Sequence, residues 1–284
     1  IKLDEAGTLG STVSMSGGTL DADESLTLSG ALTQAGNITI DVADNKTLTY
    51  SGGDLDVGAN TLSIEGAGTL SNSSDSALVL DVADSILDLT GSGTVSGPVK
   101  LEGGTLKSSG SPTISGAITQ SADATIEVST DQTLSYSGAA ISLGAYTLTM
   151  SGEGRLSNTN ALDLNNASSK LLLSSSITVD NVSTSVDNSL GLDVDADSTV
   201  SSFSVAHTTP VSIASGKTLS GAITVTAGSI KLNEAGTLGS TVSMSGGTLD
   251  ADESMTVSGA LSHTADITID VASGKTLTYS GTAV

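Results

Sequence analysis

The feature that most constrains this chain is that its opening stretch returns near its end. Residues 1–52 and residues 230–281 are identical at 42 of 52 positions, at a constant offset of 229. A looser copy lies between them at an offset of 86. There Val13-Ser-Met-Ser-Gly-Gly-Thr-Leu20 answers to Val99-Lys-Leu-Glu-Gly-Gly-Thr-Leu106, and Thr47-Leu-Thr-Tyr-Ser-Gly52 to Thr133-Leu-Ser-Tyr-Ser-Gly138. Gapless tandem copies of this length point to a repeat architecture, in which each unit buries its open face against the next. An antiparallel sandwich repeated this way would break into separate domains with linkers, and no composition shift marks a linker here.

Within the copies, apolar residues alternate with Thr, Ser and Asp in short runs, for example Leu26 with Leu28, Ile38 with Ile40 and Val42, Leu48 with Tyr50, and Leu62 with Ile64. Leu78 with Leu80, Leu134 with Tyr136 and Leu148 with Met150 continue the pattern. Period two means strands with one buried and one wet face. The Gly, Asn and Asp between the runs supply the φ values that sharp corners need. No segment holds an apolar stripe at helical spacing, and β-branched residues with glycine disfavour helix. The fold class expected is therefore all-β, a parallel β-helix (β-solenoid) of about three short strands and about 21 residues per coil. Residues 1–284 are expected to form a single continuous solenoid of 13 to 14 coils, on the order of 65 Å long at about 4.8 Å per coil. Residues 169–229, with weaker glycine punctuation around Phe203, His207 and Pro210, are read as the same solenoid; Ile177 with Val179, Leu190 with Leu192, and Val211 with Ile213 keep the alternation. Both ends are expected to stack on more of the same: Ile1-Lys-Leu3 opens directly on an apolar alternation, and Ser280-Gly-Thr-Ala-Val284 stops just after a strand.

Composition suits a thin core. Phe203 is the only phenylalanine, there is no tryptophan, and four tyrosines complete the aromatics. Layers of Leu, Ile and Val can fill a narrow coil that large rings would overfill. Thirty-one acidic residues against nine basic ones give a net charge of −22. That field repels phosphates, so nucleic acid is excluded as a partner and an anionic membrane disfavoured. It also keeps long β-surfaces soluble and apart. The absence of cysteine removes disulfide and thiol chemistry. No apolar run is long enough for a helical membrane span, so no membrane insertion is expected.

The runs GTL, TLTYSG, LTLSGAL, NTLSIEGAGTL and SGGTLDADESLTLSG carry a resemblance. They are similar to the glycine-punctuated repeats of large secreted bacterial β-helix proteins, the autotransporter passenger domains and filamentous-haemagglutinin-type adhesins. The resemblance covers nearly the whole chain. It implies a right-handed parallel β-helix, an extracellular or cell-surface place, and a structural or adhesive role without catalysis. The partners it implies are further copies of the repeat, covalent or head-to-tail, and a cell-surface or polysaccharide ligand. It brings no catalytic residues.

Two other classes remain open, a polysaccharide-active β-helix enzyme and a calcium-dependent ligand-binding module. For calcium the candidates are carboxylates clustered at corners: Asp21, Asp23 and Glu24; their copies Asp250, Asp252 and Glu253; Asp41 and Asp44; Asp81 and Asp84; and Asp193, Asp195 and Asp197. Oxygen ligands spaced along turns suit this ion; the competing reading is solvated corner charge. For an enzyme the signal is weaker. The nine basic residues are scattered singly, His263 replaces Gln34 of the first copy, and His207 stands alone. Outward Thr-x-Thr pairs such as Thr47 with Thr49, Thr147 with Thr149, Thr224 with Thr226 and Thr276 with Thr278 bring to mind the threonine rows with which some antifreeze proteins bind ice. Neighbouring segments read TLS, TLD or TIE, so the row is expected to be interrupted and the threonines to be ordinary exposed strand residues.

Overall fold

A computed structural model describes residues 1–282. Ala283 and Val284, the last residues of the expected open end, lie outside the described residues. The chain forms two compact units, Ile1–Ile141 and Ser142–Val284. Each is a parallel β-solenoid, and among the described residues all regular structure is strand.

In the first unit every coil runs over three faces. Face one holds Lys2–Leu3, Gly18–Ala22, Ile38–Val42, Thr61–Gly66, Ile86–Leu89, Thr105–Ser108 and Ala124–Val128, each in parallel register with the next. Face two holds Thr8–Leu9, Leu26–Leu28, Thr47–Tyr50, Thr69–Asn72, Thr94–Val95, Thr113–Ile114 and Thr133–Tyr136. Face three is shorter, with Val13–Met15 paired to Leu32–Gln34, and Leu55–Asp56, Leu78–Leu80, Val99–Leu101 and Ile118–Gln120 in a second ladder. The expected alternation is present: Leu20, Ile40, Leu62, Leu87, Leu106 and Ile126 are at most 2% exposed, and the residues between them point outward.

Coil length is not constant. Ile38 stacks through Leu62, Leu87 and Leu106 onto Ile126, in coils of 24, 25, 19 and 20 residues. Stacked partners four coils apart are thus 88 residues apart, although the sequence copy repeats at 86. Face two agrees, because Leu48 stacks through Leu70, Val95 and Ile114 onto Tyr136, whereas Tyr136 is the sequence copy of Tyr50. The copy at offset 86 therefore sits two residues along the strand from the segment it repeats. An even slip keeps inward residues inward.

Corners follow from residue choice. The turn between faces one and two places Asn45 at φ 60°, its copy Asp131 at 62°, and the third copy, Gly274, at 78°. Asn, Asp and Gly are the residues that tolerate this left-handed region, and the turn closes with Lys46, Gln132 and Lys275 amides donating to the carbonyls of Ala43, Ser129 and Ala272. At the corner between faces two and three the coils approach too closely for a side chain. A Cβ on Gly116 would lie 1.8 Å from the Gly97 carbonyl oxygen, and one on Gly138 would lie 2.4 Å from that of Gly116.

In the second unit face one holds Thr147–Gly152, Lys170–Leu173, Gly191–Val194, Thr209–Ile213, Ser229–Leu232, Thr248–Ala251 and Thr268–Val271. Residues 169–229 belong to this solenoid, as expected, but their corners differ. Thr178–Thr184, Ser198–Val205 and Thr218–Val225 run through from face two to face three as single bent strands, with a register break between Val200 and Phe203. The weak glycine punctuation has this consequence: the corner is a bend in a strand. Phe203 is fully buried between Val182 and Ile223. One expected inward residue is corrected. Leu190 is 47% exposed because it precedes the strand that starts at Gly191, and Leu192 with Val194 fills the core. The last coil repeats the first copy's registers, Leu249 on Ile269 and Val257 on Tyr279, but Ile269, Val271 and Tyr279 are 38–49% exposed. Their counterparts Ile40, Val42 and Tyr50 lie under the next coil.

Candidate functional site

The acidic residues use their charge between coils, and four carboxylates expected at corners, Asp21, Asp41, Asp193 and Asp250, lie instead within face-one strands. Lys46 Nζ reaches Glu24 Oε2 at 2.5 Å, and the copy repeats the pair as Lys275 with Glu253 at 2.5 Å. Lys100 spans two coils to Asp54 at 2.6 Å, which draws the Asp54 carboxyl below the usual carboxylate range. Lys170 meets Asp193 at 2.7 Å, and Arg155 grips Asp180 with Nε and a terminal nitrogen at 3.0 and 2.9 Å. Lys2 meets Asp23 at 2.8 Å and lowers its pKa. Lys107 with Glu127 and Lys231 with Asp250 complete a set in which eight of the nine basic residues join carboxylates.

Other candidate calcium residues bind backbone or neighbouring side chains. The Asp81 carboxylate accepts from the Gly58 amide at 3.1 Å and the Ser85 hydroxyl at 3.2 Å, and Asp197 accepts from the Thr218 amide at 2.8 Å. Asp44 accepts from the Asn45 side chain at 2.9 Å. Asp84 and Asp195 are exposed. Asp21 and Asp41 are stacked register partners, as are Asp250 and Asp270. Partial desolvation and the adjacent carboxylates, Asp23 and Asp41 in one copy and Asp252 and Asp270 in the other, raise the pKa values of Asp21 and Asp250. Among the described residues, no three His, Cys, Asp or Glu side chains gather as a metal-holding group. His207 Nδ1 lies 3.9 Å from Asp187, and His263 Nδ1 lies 3.1 Å from the Ala265 carbonyl oxygen.

Buried polar residues form a second pattern, at the corner between faces two and three. The Tyr136 hydroxyl accepts from the Ile118 amide at 3.1 Å and donates to the Ala139 carbonyl at 2.6 Å. Tyr50 accepts in the same way from Leu32, and Tyr279 from Leu261. Burial raises the phenol pKa of Tyr50 and Tyr136. Asn72 and its copy Asn158 bridge backbone carbonyls with their amide nitrogens, Asn72 to Ser76 and Pro98, Asn158 to Asn160 and Asn181. These groups satisfy backbone that the corners leave without a ladder partner.

The third pattern corrects the expected interruption of the threonine row, in the first unit alone; Thr147 with Thr149 lies on face one of the second unit. In the first unit the segments reading TLD and TIE, at 19–21 and 125–127, lie on face one. They do not interrupt face two, where Thr47, Thr69, Thr94, Thr113 and Ser135 stack in one unbroken column. Thr8, Thr27, Thr49 and Ser71 form a second column beside it. All seven face-two strands lack Asp, Glu, Lys and Arg, while all seven face-one strands carry one charged residue each. The sequence signal that would have revealed this is the sorting of charge by face, which requires the coil boundaries.

Comparison of the chain with known protein families, with curated proteins and with solved structures finds no match.

Proposed function

We propose that this chain is a structural or adhesive segment of a large extracellular or bacterial surface protein, a stiff scaffold that performs no catalysis. The observation that supports this reading is the use of its charged side chains. Eight of nine basic residues pair with carboxylates, seven of them across a coil boundary and one, Lys2, both within its corner and across to Asp23. The Lys46–Glu24 pair recurs intact in the copy at Lys275–Glu253. A catalytic group would be expected to break the repeat once, whereas the Lys46–Glu24 pair is copied with it. A solenoid whose copies conserve stacking contacts is selected for continuity along its axis. The resemblance of its glycine-punctuated runs to secreted adhesins supplies the extracellular part of the reading.

The test is location and adherence. Antibodies against the purified chain are applied to intact source cells and read by immuno-electron microscopy, and adherence is measured with and without those antibodies. Surface or extracellular-matrix label with reduced adherence or altered matrix supports the reading. Label confined to the cell interior, or turnover of a polysaccharide by the purified chain, overturns it.

A further inference from the structure

We propose that face two of the first unit is an ice-binding surface. In a chain of net charge −22, an outward strand face that is merely solvated would be expected to carry acids, as face one does with Asp21, Asp41, Glu65, Asp88 and Glu127. Face two carries none over seven consecutive strands, and its outward positions within those strands are all threonine or serine. A fixed charge holds its own shell of water in an orientation that a crystal lattice of water cannot adopt. A hydroxyl donates one hydrogen bond and accepts two, so it can occupy a water position in such a lattice.

Regularity adds the second step. Hydroxyls in one column repeat at the strand separation, about 4.8 Å, and where the two columns run side by side, in the strands Thr47–Tyr50 and Thr69–Asn72, they are two residues apart along the strand, about 6.6 Å. Rows of oxygen atoms in ice repeat at distances of this size in two directions. Threonine is stiff at χ1, so its hydroxyl and methyl are held at a fixed height above the sheet. Thr47, Thr69, Thr94 and Thr113 are half-buried on the outward side of this face. On face three, Thr33 is tied to Ser14 and Ser262 to Ser243.

Other occupants fit less well. A flat polysaccharide is gripped by outward aromatic rings, and the face-two tyrosines, Tyr50 and Tyr136, are buried. A second copy of the chain would bury only about 300 Å² per partner on this face, against about 800 Å² for a stable pair. Contact with a growing crystal needs no such area, because every column extends the match.

The experiment is ice-recrystallisation inhibition and partition into a slowly growing ice hemisphere, with the purified 284-residue chain. It requires no cellular context, so failure here leaves the scaffold reading standing. The chain is expected to enter the ice and suppress recrystallisation, and the pair Thr69→Lys with Thr94→Lys to weaken the effect at least about tenfold. Thr39→Lys, an outward substitution on face one, is expected to keep it. Circular dichroism of each variant must match the parent; if the lysine pair unfolds, Thr94→Val, which keeps shape and removes the hydroxyl, is read instead. Exclusion of the parent chain from ice, or equal loss in Thr39→Lys, overturns the proposal. So does binding to crystalline cellulose or chitin, or concentration-dependent dimerisation, that the face-two substitutions abolish while ice growth is unaffected.

Discussion

Replacing tyrosine by phenylalanine at the three copies of one corner position should give three different results from one chemical change. Tyr50 and Tyr136 are 2% and 1% exposed, whereas Tyr279 is 41% exposed. Tyr136 serves two backbone groups, the Ile118 amide and the Ala139 carbonyl; Tyr50 serves the Leu32 amide at 3.3 Å. Leaving a buried amide without a partner costs about 1–3 kcal/mol, and losing the second bond adds about 1 kcal/mol. Tyr136→Phe should therefore lose about 2–4 kcal/mol and Tyr50→Phe about 1–3 kcal/mol. Tyr279→Phe, where water replaces the phenol, should stay within about 0.5 kcal/mol. A solenoid opens locally, so native-state hydrogen exchange of amides in the coils on either side of each tyrosine is the primary readout, with urea denaturation as the global check. Equal losses at Tyr136 and Tyr279, or a loss under about 0.5 kcal/mol at Tyr136, would refute the view that these phenols complete the backbone's hydrogen bonding.

Leu62→Asp or Leu148→Asp places an unpaired charge in a fully buried layer and should cost several kcal/mol, on the order of 3–5, in denaturant titration, while Thr47→Asp and Thr61→Asp should change stability by under about 1 kcal/mol. Gly116→Ala forces a Cβ to 1.8 Å from the Gly97 carbonyl oxygen; the coils must part there, and protease susceptibility at that corner should rise. The pKa of Asp21 is raised in the fold, so between its unfolded and folded values the folded state holds more protons and stability rises as pH falls. Asp21→Asn should accordingly raise Tm at pH 7 and lose that advantage once the pH is well below the carboxylate range; a Tm gain that persists unchanged at low pH would contradict the sign.

Much of this architecture was legible in the sequence because two local signals agree throughout. Alternation identified Leu48, Leu62, Leu134 and Leu148 as core, and gapless copies identified parallel stacking. The assignment of strands to faces was not legible. A coil of 19 or 25 residues differs from the mean by more than half a strand, so a fixed period cannot say whether Thr19 and Thr69 share a face. For that reason the threonine column looked broken and the Lys100–Asp54 pair, two coils apart, had no visible signal. Leu190 failed for a related reason: alternation does not locate the corner at which a strand begins. Sequence placed the candidate calcium carboxylates at corners, although Asp21, Asp41, Asp193 and Asp250 lie within strands, and it could not show that Glu24 and Glu253 meet lysines 22 residues later in the next coil.

The two-residue slip of the copy at offset 86 bears on how such a chain can grow. Duplicating a gene segment transmits the residues but not their vertical neighbours: Ile126, the copy of Ile40, rests above the column of Ile38. What passes from copy to copy is parity, the inside or outside sense of each position. A core built of interchangeable Leu, Ile and Val tolerates such shuffled neighbours at small cost, since shape-conserving apolar exchanges are mild. Side-chain pairs that depend on a particular neighbour have no such freedom. Lys46–Glu24 survives in the copy because both partners lie inside one duplicated block, whereas Lys100–Asp54 has no counterpart in which both residues are kept. Duplication in steps of even slip thus lets the apolar layers lengthen without redesign and makes each polar contact stand or fall with the boundaries of the segment that was copied.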